Sequence, residues 1–265
     1  MKMLRIALVS TLFFSLVNSS FALSLRNVEL RRATTKSLPK IMCVGDSITN
    51  GVRDDKQMGY KNDLQDLLGI RTYQWVGIWG TSIGPNDSSI VIGELPRWDR
   101  NYENIGTYQT RHCGWWGGTT QQVTEYLIYA DVMNRFFKDA PIGSMIIIHL
   151  GTNDSSKNID QISVVISYVE NFISYVNAFN PDIDIYFCQI VPHATESRDT
   201  WTVLYNSAIA DFVNSYGKPN LYTVDMHTSF VDTWNGITSN DGVHPNTIGY
   251  AQMAELLYAE ISEHR

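Results

Sequence analysis

The stretch IMCVGDSITNG, Ile41 to Gly51, decides how the rest of the chain is read. Four apolar residues followed by Gly45 predict a buried parallel strand that ends in a strand-to-helix turn, and in open α/β sheets ligands sit at the carboxyl ends of strands. Ser47 then stands at the mouth of a site as a candidate nucleophile. Alone the motif is weak, because Gly, Asp and Ser also gather at helix-capping turns for backbone reasons. The rest of the chain has to supply what a nucleophilic serine needs.

Two segments unlike the body precede this strand. Residues 1–22 carry Lys2 and Arg5, an apolar run from Ile6 to Val17, and Ser20-Phe21-Ala22 with small residues at the cleavage positions, the pattern of a secretory signal peptide. The run is shorter than the ~20 residues needed to span a bilayer, so a secreted protein is expected rather than an anchored one. Residues 23–40 hold five bases against one acid without periodicity and read as a flexible basic leader arm. The catalytic domain is expected over 41–265.

The full chain has 20 Lys and Arg against 27 Asp and Glu, and without residues 1–22, which carry two bases and no acid, its formal charge is −9. From Ile41 onward it is −13. Nucleic acid and anionic membranes are poor partners for such a surface, whereas a neutral polymer or a small ester suits it. Three cysteines, at 43, 113 and 188, exclude a disulfide framework, and Cys43 and Cys188 lie in apolar runs that predict buried free thiols. Sequons begin at Asn86, in a polar loop, and at Asn153, in a segment with a chemical use.

After Gly51, strand and helix alternate along the chain. Gly59 to Gly69 has apolar residues at helical spacing and a closing glycine, and Tyr73 to Trp79 reads as a second strand. Residues 80–113 dissolve into Gly, Pro, Asn, Asp and Ser with scattered aromatics, and a loop that long in a compact domain is usually functional. Thr119 or Thr120 can cap a helix whose apolar face continues from Val123 to Phe137. Further strands are predicted at 145–150, 183–191 and 221–226, with helices from Ile162 to Asn180, around Tyr205 to Gly217, and from about Thr247 to the end. This alternation predicts one α/β domain with a five-stranded parallel sheet and helices on both faces.

Three segments at predicted strand ends supply what Ser47 needs. Serine-mediated ester hydrolysis requires a base, a partner that orients the base, and donors aimed at the developing oxyanion. In DGVHPN, Asp241 stands three residues before His244, close enough for its carboxylate to reach one imidazole nitrogen while the other faces Ser47. Donors can come from the Asn153 side chain in GTND, from the Ser47 N–H, and from a glycine N–H in WWGGTT, where Gly117 is the first choice and Gly114 the second. No histidine or carboxylate pair has zinc-ligand spacing, so neither metal nor cofactor is expected. His149 reads as a core residue ending a strand, and His112, His193 and His227 as solvated or satisfied loop residues. Trp98, Trp115 and Trp116 flank the expected cleft, where they could stack on sugar rings or roof the loop.

GDS, a glycine before a threonine-led helix, GTND and DGVHPN occur in the order that defines the SGNH, or GDSL, hydrolase superfamily, which the chain resembles over nearly all of 41–262. GDSITNG, GYKNDLQDLL, HCGWWGGTTQQV, LGTND, VDMH and DGVHPNTIGYAQMA look most like carbohydrate esterase family 3, whose members are secreted acetyl xylan esterases. The resemblance implies a flavodoxin-like three-layer αβα sandwich and metal-independent deacetylation. It gives Ser47 as nucleophile, Asp241 and His244 as the base pair, and Ser47, Gly117 and Asn153 as the oxyanion hole. Two departures stand out. HCGW is followed by three additional residues, WGG, which leaves Gly114 and Gly117 both open, and Lys61 stands where arginine is typical.

A monomeric secreted esterase acting on acylated carbohydrate or another small ester is therefore expected. A lipid or acyl-thioester hydrolase is the rival on the same fold, since fold does not set substrate. A non-catalytic secreted binding protein on the same scaffold is the rival from another class.

Overall fold

The structure, a computed structural model, describes residues 37–55, 58–80, 104–105 and 107–265. The expected signal peptide, nearly all of the leader arm, the Asn86 sequon, Trp98 and most of the 80–113 loop lie outside the described residues.

The sheet is built from β1 (Lys40–Gly45), β6 (Met145–His149), β7 (Asp184–Cys188) and β8 (Leu221–Val224), all parallel neighbours in that order. The outer edge of β1 is shared. Its start pairs with β2 (Gln74–Trp75), and its end pairs with β5 (Cys113–Gly114), also in parallel. Between these, β3 (Asn104–Ile105) and β4 (Tyr108–Gln109) form a small hairpin. The second strand is thus shorter than the predicted 73–79: the chain leaves the sheet after Trp75 and returns at Cys113 to complete the same lane. Counted by lanes the sheet has five positions in the order 2-1-3-4-5, the flavodoxin-like arrangement.

Strand side chains alternate between two cores, as a period of two requires. Met42, Val44, Ile146, Ile148, Ile185 and Phe187 face a core completed by α3 (Thr120–Tyr129), α5 (Ile162–Phe179) and α6 (Glu196–Tyr216). Ile41, Cys43, Met145, Ile147, Tyr186 and Cys188 face the other, completed by α2 (Tyr60–Leu68), the short α7 (Trp234–Ile237) and α8 (Thr247–Glu263). Burial of both sheet faces explains why the strands read as continuous apolar runs. All three cysteines are buried and free, and burial pushes the Cys43 and Cys113 thiols up to about 12.

The helix expected from Thr119 to Phe137 is two helices. Thr119 caps α3 in a reciprocal box with Gln122, and after Tyr129 the chain turns at Asp131 (φ 52) into α4 (Val132–Phe136). Asp131 tolerates the left-handed conformation, and its Oδ1 accepts from the Tyr175 hydroxyl at 2.9 Å, which in turn accepts from the Met133 N–H. The apolar periodicity survives the break because Met133 and Phe137 remain buried.

Candidate active site

Gly45 ends β1 under the tightest approach in the sheet. A Cβ there would lie 2.6 Å from the His149 carbonyl and collide with Thr49, so only glycine lets the turn fold back on the strand. Asp46 follows as a buried cap, its Oδ1 accepting from the Ile48 N–H at 2.9 Å. Burial pushes this carboxyl up to about 6 despite that bond. The cap starts α1 (Ser47–Asn50), which places Ser47, 3% exposed, at its first position.

From the opposite end of the chain, the loop before α8 brings His244 to the serine. Its Nε2 lies 2.8 Å from Ser47 Oγ, and its Nδ1 lies 2.9 Å from Asp241 Oδ2. The loop is locally determined. Asp241 Oδ1 accepts from the Val243 and His244 N–H groups at 3.0 Å and from the Ser239 hydroxyl at 2.8 Å, while Asn246 caps α8 by accepting from Ile248 and Gly249. The Tyr250 hydroxyl donates to Val52 O at 2.7 Å and ties α8 to the segment after Ser47. Burial acts to raise the Asp241 carboxyl, but donors from the His244 N–H, the Ser239 hydroxyl, the His244 ring and the Val243 N–H outweigh it and hold it well below the usual carboxylate range. It therefore stays ionised beside the imidazole.

At the carboxyl end of β6, Thr152–Asp154 form a single 3₁₀ turn. Asp154 Oδ2 accepts from both the N–H and the hydroxyl of Thr120 at 2.8 Å, and Lys157 Nζ lies 2.7 Å from Oδ1. This clamps the turn to the start of α3 and lets Asn153 Nδ2 donate to Gly118 O at 3.0 Å. The GTND and WWGG segments are thereby joined. Gly117 is held at φ 75 in the turn. Gly114 has another use: a Cβ there would lie 2.6 Å from Asn50 N, and its N–H donates to His112 Nδ1 at 2.9 Å.

His149 is a buried strand residue, as expected, and burial pushes its imidazole down to about 4, leaving it neutral. His112 is fully buried rather than solvated, and its Nδ1 accepts from the Gly114 N–H. His193 accepts from the Thr195 N–H at 3.0 Å, and His227 Nε2 lies 3.4 Å from Asp199. Trp115 is buried against Trp79 and Tyr126, whereas Trp116 is 46% exposed. Sequence reasoning missed Arg53, whose Nε lies 3.2 Å from Asp241 Oδ2, and Ser239. Nothing local marks Arg53, whose contact spans 188 positions, whereas the signal for Ser239 was its place two residues before Asp241.

This arrangement resembles known proteins in sequence and in shape. The multidomain esterase of Ruminococcus flavefaciens is 26% identical over 261 residues, covering 94% of this chain and 32% of that protein. The chain thus spans about a third of the relative's length. A carbohydrate esterase family 3 protein from Talaromyces cellulolyticus superposes with a TM-score of 0.61 at 18% identity, covering 85% of this chain and 97% of that one. The Clostridium thermocellum family 3 carbohydrate esterase gives 0.59 at 22% identity, covering 84% and 94%. Both share the fold. Residues 43–252 match the GDSL-like Lipase/Acylhydrolase family model from β1 into the last helix, and the chain belongs to that family.

Proposed function

We propose that this member of the family is a secreted serine esterase that removes short acyl groups, acetyl foremost, from acylated polysaccharide such as xylan. The observation that carries the reading is the unbroken relay from Ser47 Oγ through His244 to an ionised Asp241. In the acylation step Ser47 Oγ attacks the carbonyl carbon as its proton passes to His244 Nε2, and collapse of the tetrahedral adduct releases the sugar hydroxyl, which takes that proton back. Water repeats the sequence, so that acetate leaves and Ser47 is restored.

The Ser47 N–H, the Gly117 N–H and Asn153 Nδ2 serve the oxyanion. Gly117 is preferred to Gly114 because the Gly114 N–H is taken by His112, whereas among the described residues no acceptor is paired with the Gly117 N–H. Asn153→Ala removes a donor and its tie to Gly118 together. The expected loss is about 2.7–4 kcal/mol of transition-state stabilisation, read as a fall in kcat of about 10²–10³. A variant within threefold of wild type would remove Asn153 from the oxyanion hole.

Carbohydrate is favoured by Trp116, whose exposed ring directly precedes Gly117 and offers a face for a sugar, and by the acidic body, which suits a neutral polymer. A buried acyl chain would gain about 0.8 kcal/mol per methylene, so a site shaped for acetyl gives rates that fall from acetyl to butyryl to octanoyl p-nitrophenyl esters. Acetate release from acetylated xylan should accompany that order. Fastest turnover of octanoyl esters, with no acetate from acetylated xylan, chitin oligomers or pectin, would replace this reading with a lipid esterase.

A further inference from the structure

Lys61 is, among the described residues, the one lysine or arginine that is fully buried. Lysine is almost never found there unless it is paired, so what it holds matters. Its Nζ donates to the carbonyl oxygens of Thr49 and, at 3.3 Å, of Asn50, the last two residues of α1.

The carbonyls of this four-residue helix can be followed one by one. Ser47 O accepts from the Gly51 and Val52 N–H groups at 3.1 Å, and Ile48 O from Gly51 at 3.1 Å. Thr49 O and Asn50 O have, among the described residues, no other donor than Lys61. The segment carrying the serine is therefore closed at its carbonyl end by a side chain from the neighbouring helix.

The surroundings keep the charge in place at neutral pH. Burial pushes the Lys61 ammonium down to about 8, while Asp54, a buried carboxylate accepting from the Met58 and Gly59 N–H groups, acts in the opposite direction. The other titratable neighbours are held neutral by burial: the Cys43 thiol and the Tyr60 phenol are pushed up, and the His112 imidazole is pushed down. The Tyr60 ring lies 5.8 Å from the ammonium.

We propose that Lys61 is a positioning residue for catalysis, its buried ammonium fixing the carbonyl end of α1 and so holding Ser47 Oγ in line with His244. The proposal rests on the reading of Ser47 as nucleophile. Without the ammonium, two buried carbonyls next to the serine turn lose their donor, and they must rotate or admit water to find another. Either adjustment displaces the serine, and a displacement of about 1 Å can cost on the order of 10² in rate.

The test compares wild type, Lys61→Met, Lys61→Gln and Lys61→Arg in two measurements per folded molecule: kcat and KM on p-nitrophenyl acetate, and the rate of serine labelling by a small fluorophosphonate. For K61M we expect kcat and the labelling rate to fall together by about 10- to 100-fold with KM within about twofold, and K61R to recover most of the loss. If K61M does not fold, K61Q, which keeps a short donor without the charge, should fall between wild type and the expected K61M loss. A folded K61M or K61Q with wild-type kcat and labelling rate, or with the loss confined to KM, overturns the proposal. A purely structural lysine would lower thermal stability and leave both rates per folded molecule unchanged. Labelling of the wild type at a residue other than Ser47 instead overturns the nucleophile assignment, whatever the Lys61 variants do.

Discussion

Replacing Ser47 by alanine is expected to lower kcat by on the order of 10⁶, and replacing His244 by alanine to cost about as much, because the two act as one unit and neither half works without the other. Among the described residues the geometry leaves no substitute. Ser47 Oγ is the atom within 2.8 Å of His244 Nε2, and it sits on a turn whose glycine, cap and packing are specific to that position. The losses should appear in kcat on p-nitrophenyl acetate with the far-ultraviolet spectrum unchanged. The double variant should be no worse than either single one. If S47A retained wild-type turnover, another group would have to be the nucleophile.

Asp241→Asn is expected to lower kcat by on the order of 10⁴ through the histidine tautomer. Oδ1 of Asp241 receives three donors, from Val243, His244 and Ser239, so in the variant the amide oxygen keeps that place. The amide nitrogen is then turned to where Oδ2 meets His244 Nδ1 at 2.9 Å. An NH₂ group there can only donate. It stabilises the tautomer with the proton on Nε2, which cannot accept the serine proton. The loop should remain folded, because its three internal bonds survive. A D241N enzyme within tenfold of wild type would mean that Asp241 does not orient the base.

Much of this was legible in the residue order. β1 and β6 announce themselves because strands buried on both faces read as continuous apolar runs, and α5 because a stripe at helical spacing has one explanation. Ser47, Asp241 and His244 were legible for a related reason: each lies in a short motif whose local hydrogen bonds build the turn, as Asp46 does for Ser47 and Asp241 for its own loop. The divided outer lane was hidden, since two-residue pairings at Gln74–Trp75 and Cys113–Gly114 are too short to show periodicity. So was the break at Asp131, which is fixed by Tyr175 from a helix 44 residues away while the apolar pattern runs on through it.

A similar distinction separates the proposed catalytic residues from those that support them. His112 stands only two residues from Gly114, but a loop histidine has many possible partners in sequence, so Gly114 stayed open as the second choice behind Gly117. In sequence Lys61 stands out only as a lysine where the family resemblance has arginine, and the packing of α2 against α1 shows that its ammonium ends on the carbonyls of α1.

The most direct test of the account is to inactivate the wild-type protein with a fluorophosphonate and locate the adduct by peptide mass spectrometry. A single adduct is expected, on Ser47, formed in step with the loss of esterase activity, slowed by an acetyl ester substrate and absent from His244→Ala. An adduct on a different serine, or ester hydrolysis that continues undiminished once Ser47 is fully labelled, would contradict it.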